Sequence, residues 1–154
     1  MEELSRLTGF LLSHAVGALA GGAQPVPTLA LEGASGRELQ RFADEDLVRA
    51  VRDAKDALRQ RLLTSHRAAL LLVEGDADRP LWVVEGAELA DPVRELRVTV
   101  RHRLNAGRLI LDEPRFDFPA TYQGEQREAC LAAFKAGLQE DAAGAKAWAA
   151  ALTR

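Results

Sequence analysis

Residues 68–112 have the sequence AALLLVEGDADRPLWVVEGAELADPVRELRVTVRHRLNAGRLILD, which predicts three consecutive β-strands. It contains two apolar runs, at 68–74 and 80–85, joined by Gly, Asp and Arg residues at 75–79. Short apolar runs bounded by turn residues are typical of β-strands, and a short connection predicts a hairpin. Pairing across this connection predicts one face with Leu70, Leu72, Trp82 and Val84, and another with Leu71, Val73, Leu81 and Val83. Both faces are apolar, so we expect both to be covered.

The segment that follows, 95–104, alternates between apolar and charged residues. Leu96, Val98 and Val100 share one face with His102, whereas the other face carries arginines. This alternation predicts a strand with one buried and one solvated face. The residues at 105–107 then form a turn into a further strand at 108–112.

The remaining segments predict helices and a second hairpin. Apolar residues at steps of three and four predict helices at 2–20 and 45–63, and an Ala-rich helical region, bent near Gly137 or Gly144, at 125–152. Strands are expected at 28–32 and 37–43, and a loop at 113–124. The fold class is therefore α+β: a single domain, 1–154, with an antiparallel sheet of five or six strands packed by helices in the order α-ββ-α-βββ-α.

Composition limits the classes of function and location. The net charge of −3 argues against nucleic-acid binding, which usually requires a basic chain. Arginine outnumbers lysine 17 to 3 and alanine is abundant, as in proteins from GC-rich bacterial genomes, so arginine content is weak evidence for phosphate binding. A single cysteine excludes an intrachain disulfide and favours the cytosol. We predict no membrane segment, because the uncharged stretch at 7–31 is short and interrupted, and the charges before it favour an amphipathic helix over a signal peptide.

The solvated face of the 95–104 strand carries the first candidate site. Arg97, Arg101 and Arg103 alternate along it and form an arginine ladder. Guanidinium groups bind phosphate or carboxylate through paired hydrogen bonds, so the ladder is a candidate site for an anionic ligand. The alternative is a solvated face paired with nearby acids.

A second candidate is acidic, and a third is aromatic. Acids crowd the ends of the central strands and could bind Mg²⁺ or act in acid–base catalysis; they are Glu74, Asp76, Asp78, Glu85, Glu88 and Asp91. Their spacing matches no calcium loop, and we predict no metal. The loop at 113–124 holds Phe116, Phe118 and Tyr122, which form either a partner-binding surface or a strap over the sheet edge.

We predict no catalytic residue and no cofactor. His14, His66 and His102 are not at metal-ligand spacing, and Cys130 lies among alanines and a leucine. The chain has no dinucleotide-binding, P-loop, zinc-protease or nucleophile-elbow motif.

These features favour a non-enzymatic binding or adaptor protein, chaperone-like or regulatory, that forms a homodimer. Small acidic α+β dimers such as type III secretion chaperones offer an analogy of size and element content only. The dimer is expected because Phe10, Leu12, Val16 and Leu19 lie outside the main stripe of the first helix, and because the sheet has an open face. The alternatives are a small hydrolase or nuclease that uses the acidic cluster, and a protein that binds a small anion through the arginine ladder.

Overall fold

The computed structural model describes residues 1–76 and 78–152 and confirms the α+β class. The helices are α1 (Glu2–Ala20), α2 (Leu47–Leu62), α3 (Glu125–Leu138) and α4 (Ala142–Ala151). The strands are β1 (Thr28–Gly33), β2 (Gly36–Arg41), β3 (Arg67–Asp76), β4 (Arg79–Glu88), β5 (Arg94–Asn105), β6 (Arg108–Leu111) and β7 (Arg115–Asp117). They form one sheet in the order β2-β1-β3-β4-β5-β6, with β7 also paired to β5, and every strand pair is antiparallel.

The sheet has seven strands in the described residues, more than the five or six expected from the sequence. The additional short strand, β7, lies inside the segment that was predicted to be a loop and pairs with the middle of β5. The C-terminal helical region divides after Leu138, one residue beyond Gly137, into α3 and α4.

The predicted pairing of faces in the central hairpin is wrong by one residue. The structure pairs Leu71 with Val84 and Val73 with Trp82, so these residues share a face, while Leu70 and Leu72 lie on the other face with Val83. The register error arose at the connection between β3 and β4. Their pairing continues to Asp76 and Arg79, whereas the prediction ended it at residues 74 and 80. Of the predicted connection, Ala77 lies outside the described residues. A shift of one residue moves every side chain of a strand to the opposite face.

One face of the sheet is covered by α1, which is itself covered by α3 and α4. Side chains of this layer are fully or almost fully buried, among them Leu7, Leu11, Trp82, Val98 and Phe134. Leu12 and Val16, expected to face a second copy of the chain, have no exposed surface. This part of the dimer argument was wrong, since α3 and α4 provide the cover within the same chain.

Small residues let α1 approach the C-terminal helices closely. A Cβ atom on Gly9 would overlap the Phe134 carbonyl, and one on Gly137 would overlap the Arg6 carbonyl. Beside them, the Ser13 hydroxyl donates a hydrogen bond of 2.8 Å to the carbonyl of Leu138, the last residue of α3. The helix pair is therefore set by backbone contact, without side chains between the axes.

We expect Gly137→Ala to destabilise the protein by roughly 1–3 kcal/mol or more, as other overpacking changes do. The added methyl group would have to displace the backbone of α1. Gly33→Ala is the matched control, because its Cβ would meet the nearest atom, the Ser65 Cα, at an ordinary 3.7 Å. Urea denaturation measures both, and equal losses of stability would contradict the close contact.

Trp82 is fully buried, and its indole nitrogen has no hydrogen-bond partner in the described structure. Trp82→Ala should therefore cost roughly 3–5 kcal/mol in urea denaturation, as other truncations of buried aromatic residues do. Trp82→Phe should cost clearly less, since it keeps most of the apolar contact and gives up no hydrogen bond. A loss below about 1 kcal/mol for the alanine variant would mean that Trp82 is not a core residue.

Candidate functional site

The face of the sheet opposite α1 is covered over only half of its width. Helix α2 packs on β1 and β3, where Leu29, Leu31, Ala54, Leu70 and Leu72 form a second buried cluster. Beyond α2, the face of β4 and β5 borders a groove of about 600 Å³. We call this the open groove; its lining includes Leu58, Glu85, Ala87, Val93, Glu95, Arg97, Asp117 and Phe118.

The open groove carries an excess of negative charge. Across the strands, Glu85 on β4, Arg97 on β5 and Asp117 on β7 lie in register. Arg97 pairs instead with Glu74, with 3.8 Å between guanidinium and carboxylate. Within the described residues, Glu85, Glu95 and Asp117 take part in no ion pair, so a basic surface would complement this groove.

Helix α2 carries a mainly apolar line, of which Leu58 borders the groove while Val51, Leu58 and Leu62 pack against the second buried cluster. The line, here called the α2 flank, consists of Val48, Val51, Lys55, Leu58 and Leu62, which recur at steps of three and four. Val48 is 78% exposed, and the other four are half-buried. Lys55 makes no ion pair with any described residue, which places an unpaired cation in the middle of an apolar line.

A separate cleft of about 390 Å³ lies where β4 and β5 part. Pairing of these strands ends at Leu81 and Arg101, and β5 continues toward its turn paired only with β6 among the described strands. We call this the arginine cleft; it is lined by Asp78, Arg79, Pro80, Arg101, His102, Arg103 and Asp112.

The structure divides the predicted arginine ladder between these two places. Arg97, Arg101 and Arg103 occupy alternate positions of β5 and are exposed, but only Arg101 and Arg103 line the cleft. Arg79 joins them there, a residue that sequence reasoning had assigned to the connection. The sequence signal that could have identified Arg79 was the extent of strand pairing. Because Leu81 pairs with Arg101, Arg79 lies level with Arg103, each being two residues from that pair. Ligand binding by the ladder stays a prediction.

The acidic residues at the strand ends do not converge. The Glu88 carboxylate lies 3.3 Å from the Met1 amino group, 3.5 Å from Arg67 and 3.2 Å from Arg94. Asp76 accepts a hydrogen bond from the Arg79 backbone, which helps close the hairpin. Among residues 1–76 and 78–152, no three His, Cys, Asp or Glu side chains form a group that could hold a metal ion.

The aromatic residues at 113–124 pack back toward the core. Phe116 meets Phe134 edge to face, with 4.9 Å between ring centroids, and stacks on Phe118 at 5.6 Å. Phe116, Phe118 and Tyr122 are all half-buried against the α1-side core. Phe118 also borders the open groove. This packing matches one of the two alternatives given by the sequence, a strap over the sheet edge. The other alternative, a partner-binding surface, stays a prediction.

The three histidines and Cys130 lie in four different environments. Cys130 is buried in the core on α3, His66 is exposed, and a His14 ring nitrogen lies 3.2 Å from Asp141. His102 stacks on Trp82, with 4.1 Å between ring centroids. Burial lowers the pKa of His102 below its ordinary value of 6.5, because it disfavours the charged imidazolium.

No helix in the described part of the chain is long and apolar enough to cross a membrane. No protein-family model matches the chain, and no curated protein or solved structure is significantly similar to it. Function therefore has to be argued from the groove, the α2 flank and the cleft.

The lowered pKa of His102 predicts a pH dependence of stability. Below pH 6.5 the unfolded chain binds a proton at this residue and the folded chain does not, so the free energy of unfolding should fall as the pH drops below 6.5. His102→Phe keeps a ring against Trp82 and removes the proton site. Urea denaturation at about pH 7.5 and 5.5 should show a smaller loss for the variant than for the native protein.

His14 and His66 are present in both proteins, so the difference between the two isolates His102. Identical pH dependence in the two proteins would show that His102 titrates normally in the folded state.

Proposed function

We propose that this protein is a non-enzymatic, cytosolic binding or adaptor protein that acts as a homodimer. The observation that carries the proposal is the half-covered sheet face, on which α2 protects β1 and β3 and leaves the open groove beside them. This uncovered face carries charged side chains beside Ala87 and Val93, so a covering layer would have to be both apolar and basic. A second copy of the same chain is the occupant we propose.

Exposed apolar side chains lie along α2 and in the β4–β5 connection, where Val93 lines the groove. Among the described residues, seven large apolar side chains are exposed, and five of them lie on or next to α2 or in the β4–β5 connection that borders the groove. These five are Leu47, Val48, Leu63, Leu89 and Val93. Clustered exposed apolar residues mark interaction surfaces more often than scattered ones do.

The α2 flank and the open groove complement each other in charge and polarity. The flank offers apolar side chains around the unpaired Lys55, and the groove offers Val93 and Phe118 beside three unpaired carboxylates. Leu58 belongs to both surfaces, so they are adjacent on one molecule. A two-fold axis between them lays the flank of each copy on the groove of the other, which is the self-complementary arrangement that a symmetric dimer requires.

The enzymatic alternative has no comparable support. In the described residues Glu74 and Glu88 are held by arginines at separate places, and the three carboxylates that line the open groove do not form a group that could hold a metal ion. The aromatic residues Phe116, Phe118 and Tyr122 remain the candidate contacts for a different protein, since Phe118 lies at the rim of the proposed dimer surface.

Light scattering coupled to size exclusion tests the dimer. We expect the native chain to elute at about twice its mass of 16.7 kDa at micromolar concentration. Val48→Glu and Lys55→Glu should each shift it to the monomer, because both place a carboxylate against the acidic groove. Leu104→Glu is the control: Leu104 is 67% exposed but lies beyond the groove, near the β5–β6 turn, and the variant should remain dimeric.

A mass of 16.7 kDa for the native chain across a wide concentration range would overturn the proposal. So would a dimer that tolerates both α2 variants, because the contact would then lie elsewhere on the surface.

A further inference from the structure

We propose that the arginine cleft binds a small phosphorylated molecule that also carries hydroxyl groups. Three guanidinium groups, from Arg79, Arg101 and Arg103, line this one cleft. Within the described residues, none of them takes part in an ion pair. The inference goes beyond the proposed dimer and does not depend on it.

Several arginines elsewhere in the chain are held in ion pairs. Arg37 lies between Glu32 and Glu140, at 2.7 and 2.6 Å, and Arg61 lies 2.7 Å from Glu38. Similarly, Arg67 contacts both Glu32 and Glu88. Arg41, Arg108 and Arg115 also form no ion pair with a described residue, but the cleft differs in bringing three such arginines together.

Two acids lie in the cleft without neutralising these arginines. The backbone N–H of Asp112 donates to the Arg101 carbonyl at 3.0 Å, so the two residues are directly adjacent. Asp112 and Asp78 nevertheless form no ion pair among the described residues. Their carboxylates are free to accept hydrogen bonds from hydroxyl groups of a ligand, while the guanidinium groups bind its phosphate.

The geometry favours a phosphate over a bulky partner. Arg79, Arg101 and Arg103 project from one face of neighbouring strands, because each lies an even number of residues from the paired positions Leu81 and Arg101. Guanidinium groups grouped in this way repel one another unless an anion lies between them, and each can donate two parallel hydrogen bonds to phosphate oxygens. A volume of about 390 Å³ is in the range of small-molecule sites.

The cleft also includes Pro80 and His102, which occupy the alternate, α1-facing positions of β4 and β5. The His102 ring rests on the fully buried Trp82.

Backbone amide NMR shifts of the native chain provide the test, with inorganic phosphate and ribose 5-phosphate as separate probes at ionic strength matched with sodium chloride. We expect saturable shifts at Arg79, Arg101, His102, Arg103 and Asp112 with both probes. Ribose 5-phosphate should bind more tightly, since its hydroxyl groups can reach Asp78 and Asp112. The double variant R101Q/R103Q should weaken binding by about tenfold or more.

Arg41→Gln is the matched control, because Arg41 is an exposed arginine on the opposite edge strand, β2, without an ion pair in the described structure. It changes the net charge as each cleft substitution does and should leave both affinities unchanged. Absence of saturable shifts, or an equal loss in Arg41→Gln, would overturn the site. Equal affinity for the two probes would overturn the role given to the two aspartates.

The result is separable from the dimer. Arg97 in the open groove and Arg101 in the cleft are four residues apart on β5, about 14 Å along the strand. Val48→Glu should therefore bind both probes as the native chain does, whatever its oligomeric state, and a loss of binding in that variant would contradict a site contained in one chain.

Discussion

Backbone contact between α1 and the C-terminal helices is the constraint on which the rest of the arrangement depends. Gly9 and Gly137 leave no room for a side chain where these helices cross, so α1 is enclosed between α3, α4 and the sheet. Both C-terminal helices, α3 and α4, therefore lie on the same side of the sheet as α1. The other side has only α2, whose 16 residues do not cover the full width of the sheet.

This asymmetry produces both candidate surfaces. The strands nearest α2 are buried by it, and the same face of β4 and β5 is left to polar side chains and to whatever docks there. Along β5 the uncovered face changes in character, from the acid-rich groove near Arg97 to the arginine cleft near Arg101 and Arg103. One strand therefore borders two surfaces of opposite charge, and each surface would select a different class of partner.

Several arginines connect different elements of this protein, which suits the fork of donors that a guanidinium group carries. Arg37 joins the β1–β2 hairpin to the segment after α3, and Arg67 and Arg94 meet at Glu88 beside the chain's amino group. Glu88 is largely buried at this junction, whereas Arg94 is half-exposed. These paired arginines provide a comparison for the cleft arginines, which form no ion pair with a described residue. Abundance of arginine alone carried no such information.

The sequence by itself determined the class of fold, the positions of most elements and the buried face of β5, because these depend on local periodicity. It correctly placed Trp82 in the interior, and it pointed to Arg101 and Arg103 as neighbours on one strand face. It paired the central hairpin one residue out of register, since the extent of pairing near residue 77 is set by contacts across strands and not by the apolar runs alone. Which helix covers which face of the sheet became clear from the tertiary structure. The same is true of the burial of Leu12 and Val16 within the chain, and of the cleft, which includes Arg79 and not Arg97. Those outcomes depend on glycine contacts between residues more than 100 positions apart and on where two strands separate, and no short stretch of sequence carries that information.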